Sequence, residues 1–153
     1  MHIPKSYLAE HPFFKGLEPH HIKTIAECAS DIQFDAGQFI LHAGDEANNF
    51  YAIRLGKIAI KLFAAERGSL TIQTIGEGEV LGWSWLIPPY RWRFDAQAME
   101  ITRAVVLDAR CLRNKCEQDH DLGYELFKRF SSIVAHRLEA TRLQLLDVYG
   151  GHV

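Results

Sequence analysis

The run from Phe34 to Ile58 reads Phe-Asp-Ala-Gly-Gln-Phe-Ile-Leu-His-Ala-Gly-Asp-Glu-Ala-Asn-Asn-Phe-Tyr-Ala-Ile-Arg-Leu-Gly-Lys-Ile. Glycines at 37, 44 and 56 punctuate short stretches of Phe, Ile, Leu and Tyr. Punctuation of this kind every 8–12 residues or so predicts short antiparallel strands joined by tight turns. The same texture extends from Ile32 to Asp108, through Arg67-Gly68 and Gly76-Glu77-Gly78. Alternation supports it: Ile58, Ile60 and Leu62 share one strand face, and Leu70, Ile72 and Thr74 share another. Phe94–Ala98 and Thr102–Leu107 supply two more strands. Residues 32–109 are therefore expected to form a jelly-roll-like β-roll.

The flanks have a different period. Residues 6–30 read as helix in two pieces, with Ser6 as a cap for the first and Pro12 to Gly16 as the interruption. The second piece starts at Pro19 and puts Ile22, Ile25, Ala26 and Ala29 on one face. His20 and His21 fall in its first turn and are expected to be solvent-exposed. Residues 110–148 read as helical again. Cys111–Glu117 forms a short helix, and Asp119 or Asp121 caps a long one. Along the long helix, Phe127, Phe130, Val134, Thr141, Leu145 and Val148 trace a heptad-like seam. At nearly thirty residues it would run about 40 Å, more than one small domain needs. A homodimer through this helix is the expectation. The expected fold class is mainly β with flanking helices, one domain over residues 1–153.

Composition narrows the function. Hydrophobic residues at 48% and charged residues at 24% describe an ordinary globular chain, not a disordered or fibrous one. A net charge of −2 and a pI near 6.4 argue against a nucleic-acid surface. Cys28, Cys111 and Cys116 are odd in number and form no CxxC pair. They are expected to be reduced, small buried or half-buried hydrophobes in a cytoplasmic protein. The start, Met-His-Ile-Pro-Lys-Ser-Tyr-Leu-Ala-Glu-His-Pro-Phe-Phe, has no signal-peptide pattern, and no apolar stretch reaches membrane-spanning length.

The residues quoted above resemble the cyclic-nucleotide-binding domains of bacterial catabolite-activator and FNR-type regulators, kinase regulatory subunits and gated channels. The resemblance runs from about His11 to Val148. It implies a β-roll and a phosphate-binding cassette, here Gly76 to Leu86, then Ile87-Pro88-Pro89-Tyr90, then Arg91 to Ala98. In such a cassette a one-turn helix offers backbone N–H groups to an anion, and an arginine grips the phosphate. Gly82 matches the cassette glycine. Trp83 stands where the family's ribose-binding glutamate would be. Counting back from Ala98 puts Trp92 in the arginine's place, with Arg91 and Arg93 on either side, whereas counting forward from Gly82 favours Arg93. Gly82, Trp83, Ser84, Trp85 and either Arg91 or Arg93 are thus the candidate ligand contacts for a cyclic nucleotide or another small anion. Trp83, Trp85, Tyr90, Trp92 and Phe94 form either an aromatic wall for a planar ligand or guanidinium, or a plug that closes the site.

Other chemistries find little support. A metal-dependent roll enzyme needs at least two histidines and a carboxylate converging from its strands, and residues 32–109 contain only His42. Ser84 begins a short helix, where capping explains it, and no nucleophile elbow or phosphate-binding lysine loop is present. Neither catalysis nor a cofactor is expected. The expected role is ligand sensing read out through the long helix. The alternative is a degenerate sensor acting as a protein–protein or dimerisation module. The chain ends soon after the long helix, at Gly150-Gly151-His152-Val153, so no DNA-binding domain is expected.

Overall fold

The computed structural model describes residues 4–150. Two four-stranded antiparallel sheets face one another. One has the order β1 (Ala29–Phe34), β8 (Thr102–Asp108), β3 (Asn49–Leu55), β6 (Val80–Leu81); the other, β2 (Phe39–Leu41), β7 (Asp95–Ala98), β4 (Lys57–Ala64), β5 (Gly68–Gly76). This is the predicted jelly-roll. Between the sheets, Ile53, Ile58, Ile60, Ile75, Ala96 and Leu107 are buried. Helices α1 (Lys5–Glu10) and α2 (Pro19–Ala26) precede the roll; α3 (Ala109–Gln118) and α4 (His120–Gly150) follow it.

The predicted elements are present, with some displaced edges. The second helix stops at Ala26, because β1 starts at Ala29 to pair with Leu107 of β8. Ala29 is accordingly a buried strand residue. Ser6 caps nothing: Pro4 occupies the N-cap position. The expected parity along the β4–β5 hairpin fails at its tip. Leu62, Leu70 and Ile72 are exposed, and the buried residue of β5 is Ile75. Register shifts between Ile60 and Lys61, and β7 covers β4 only as far as Lys61, so nothing buries the overhang.

The cysteine expectation is overturned for two of the three, while Cys116 is a free, half-buried thiol. Cys28 and Cys111 form a disulfide, their Cα atoms 5.7 Å apart. Pairing of β1 with β8 brings Cys28 beside the start of α3, where the Asp108 N–H donates to the Cys28 carbonyl. The bridge spans 83 positions, so no local motif announces it. It also removes the thiol argument for a reducing compartment. Among the described residues no helix is long and apolar enough to cross a membrane.

His11 locks the N-terminal turn to the roll. Its Nε2–H donates to the Ile53 carbonyl at 3.0 Å, and its Nδ1 accepts from the Phe13 N–H at 3.1 Å. Only the neutral ring can do both. Burial accordingly holds its pKa below the ordinary histidine value of 6.5. The unfolded chain therefore binds the proton more readily, and stability rises with pH. This contribution is fully present above 6.5 and is lost as the pH falls through the lower folded value. Urea midpoints compared between about pH 8 and about pH 5 are expected to fall further for the natural chain than for His11→Gln. Equal acid sensitivity in both would remove His11 as the cause.

Candidate cassette and the groove beside it

The cassette begins where β6 ends. Gly82 has φ +97°, a conformation that side-chain-bearing residues resist. Its second constraint is space: a Cβ there would lie 2.3 and 2.4 Å from two carbons of the Trp92 ring. The one-turn helix Ser84–Leu86 follows, with Trp83 as its N-cap.

Backbone pairing decides which side chains of the return segment point inward. Tyr90 and Trp92 bond to the turn at 45–47: the Trp92 N–H donates to the Asp45 carbonyl, and the Ala47 N–H to that of Tyr90. An extended segment alternates its sides, so Trp92 faces the roll while Arg91 and Arg93 face solvent. Trp92 is 5% exposed. Arg91 donates to the Gly44 carbonyl at 2.9 Å and lies 4.0 Å from Glu46. Both flanking arginines are exposed, and the buried position between them carries an indole.

The aromatic residues divide into separate roles. Trp85 is fully buried, stacked on Phe50 at 4.8 Å and edge-on to Phe130 of α4 at 5.5 Å. It belongs to the core. Trp92 fills the recess over Gly82. Trp83 and Tyr90 each carry a guanidinium on the ring face: Arg137 of α4 at 4.8 Å and Arg113 of α3 at 4.3 Å. Arg113 also donates to the Trp85 carbonyl at 2.7 Å, so α3 reads the cassette backbone directly.

Arg113 and Arg137 are not among the residues the resemblance marks, because they lie outside the cassette. For Arg137 a signal exists: Phe130, Ile133 and Arg137 step by three and four along the roll-facing side of α4. Arg137 donates to the Val80 carbonyl at 2.9 Å. Burial pulls its pKa down from the usual arginine value, while the nearby Glu79 carboxylate pushes it up. An arginine does not shed its proton in a protein, so the result is a poorly hydrated cation. Beside it an open groove of about 940 Å³ runs between the β5–β6 turn and α4, with Gln73, Glu79, Lys128, His136 and Arg137 among its walls.

The N-terminal half of α4 is held against the roll by Leu122, Leu126 and Phe130. Phe130 is therefore core and not part of a free seam. Beyond Arg137 every described residue of the helix is exposed, including Leu138, Leu145 and Val148.

A jelly-roll with a one-turn helix set between its strands and a long helix leaning on that turn is the architecture of a ligand-sensing regulatory domain. The family model for the cyclic nucleotide-binding domain matches residues 31–119, and the chain belongs to that family. It is 23% identical over 141 residues to the CRP-like cAMP-activated global transcriptional regulator of Mycobacterium tuberculosis (strain H37Rv). The match covers 92% of this chain and 61% of that protein, so the chain spans under two thirds of its curated relative's length. Among solved structures, a candidate cyclic nucleotide-binding protein from Geobacter metallireducens GS-15 superposes with a TM-score of 0.80 at 26% identity, covering 89% of this chain and 98% of the other. A cyclic nucleotide-binding domain from Methylobacillus flagellatus KT gives 0.83 at 17% identity, over 95% and 87%.

Proposed function

We propose that this chain is a non-enzymatic regulatory domain that senses a small anion of the cyclic-nucleotide class in the groove beside the cassette, with Arg137 as the anion contact and α4 as the output. One observation carries this reading: a half-desolvated guanidinium lies on Trp83, at the mouth of an open groove, on the helix that leaves the domain. The cassette glycine and one-turn helix are retained, but Trp92 occupies the arginine's place, so phosphate capture in the family's usual manner is not proposed. Family membership supports the nucleotide class, and the Mycobacterium relative is named as cAMP-activated. Of the sequence candidates, Trp83 borders the groove through its stack with Arg137, while Gly82, Ser84, Trp85, Arg91 and Arg93 are not among its walls.

Output runs through a second copy of the chain. Phe127, Val134, Thr141 and Val148 recur every seven residues, with Leu138 and Leu145 four residues after two of them, and most are exposed apolar groups. That is a coiled-coil seam, which a parallel partner helix would cover.

Titration calorimetry with cyclic AMP, cyclic GMP and cyclic dinucleotides tests the proposal. At least one is expected to bind at one site per chain, and Arg137→Ala to weaken it at least tenfold, roughly 1.4 kcal/mol or more. Native mass spectrometry should find a dimer. A second reading rests on Trp92 sealing Gly82: a closed scaffold that acts only through α4. No heat from any nucleotide, with the dimer intact, would leave that reading standing.

A further inference from the structure

We propose that His20, His21 and Asp119 form a binding site for a divalent transition metal, Zn²⁺ in the first instance, at the joint between α2 and the α3–α4 elbow. The site is separate from the groove and does not depend on the nucleotide reading.

The sequence suggests nothing here, because the third ligand lies almost a hundred residues away from the two histidines. Packing of α2 against the end of α3 supplies it. His20 and His21 occupy the first turn of α2, and their rings lie 4.1 Å apart. His20 is exposed as expected; His21 is not, being 5% exposed. Its buried Nε2 has no hydrogen-bond partner. That atom lies 3.4 Å from Oδ2 of Asp119, outside hydrogen-bonding geometry. A nitrogen sealed from water and left unbonded costs free energy, so its placement calls for an explanation. The Oδ1 atom of Asp119 is committed elsewhere, accepting from the Asp121 and Leu122 N–H groups to cap α4. Oδ2 remains for an ion.

One ligand atom from each of the three residues falls within 4.8 Å of the others. Tetrahedral zinc with bonds near 2.0–2.1 Å needs ligand atoms about 3.3 Å apart. The exposed His20 ring can close that gap by rotation. Two imidazoles and a carboxylate suit borderline ions such as zinc. A fourth position could go to water in the adjoining cavity of about 270 Å³, or to Glu18, whose Oε2 lies 3.2 Å from His20 Nδ1. Bound metal would clamp α2 to the residue that caps α4.

Titration of the full chain with zinc chloride, after dialysis against a chelator, tests the site. One saturable site per chain is expected. Zinc should raise the thermal midpoint. Cobalt substitution should give the visible bands of a tetrahedral ion. His20→Ala decides the matter, because it removes a surface ligand without disturbing the core: affinity should fall at least tenfold and the thermal shift should vanish. Asp119→Asn, which keeps a capping oxygen, should behave likewise. Absence of saturable uptake by the natural chain, or zinc binding unchanged in His20→Ala, overturns the proposal.

Discussion

Trp85→Ala is expected to cost about 3–5 kcal/mol, the range for emptying a fully buried aromatic site. The side chain has no exposed surface and is the largest of the fully buried ones. It lies between Phe50 of β3 and Phe130 of α4, and Phe130 in turn packs on Phe13 at 4.7 Å. Cassette, sheet and α4 thus meet at one indole, and the N-terminal turn joins them through Phe130. A cavity here cannot collapse easily, because the surrounding rings are anchored by strands and by the Arg129 bonds to the Phe13 and Lys15 carbonyls. Against a total stability of roughly 5–15 kcal/mol this is a severe loss. Urea unfolding monitored by circular dichroism measures it. Trp85→Phe should recover much of the deficit. A loss below about 1 kcal/mol for Trp85→Ala would mean that the aromatic cluster does not join helix to roll.

Gly82→Ala should cost about 2–4 kcal/mol, combining the strain of a side chain at positive φ with overpacking. Its cause is specific, and a second substitution can isolate it. The obstructing atoms are carbons at the far end of the Trp92 ring and not backbone. Trp92→Ala removes them, leaving only the backbone strain. The double variant is therefore expected to be more stable than the sum of the two losses predicts, by about 1–3 kcal/mol. Additivity within about 0.5 kcal/mol would show that the indole does not rest on Gly82. The same cycle bears on function, because a vacated recess is what a closed cassette would need in order to admit an anion.

The fold was readable because strands and glycine turns follow local rules. Gly37, Gly44 and Gly56 each take positive φ at the turns the sequence marks. The site was less legible. A single-residue slip separates Arg91 from Trp92, and only the pairing of Tyr90–Trp92 with residues 45–47 decides which faces inward. The Arg137–Trp83 stack, the Cys28–Cys111 bridge and the His21–Asp119 approach each join positions more than fifty residues apart. Periodicity reports which face of an element is buried, not what it is buried against. The hairpin tip shows the same limit from the other side: regular alternation at Leu70 and Ile72 predicts a covering layer that the topology never supplies.

The disulfide gives the molecule a covalent topology that differs from its linear order. Residues 28–111 make a closed macrocycle enclosing every strand, while α1, α2 and nearly all of α3 and α4 hang from its two ends. A protease nick at the exposed hairpin turn near Glu66 would open the ring without releasing a fragment. A cut in the outer half of α4 would free its peptide at once. The strand-bearing body and the long helix therefore differ in how each survives damage, quite apart from how tightly either is packed.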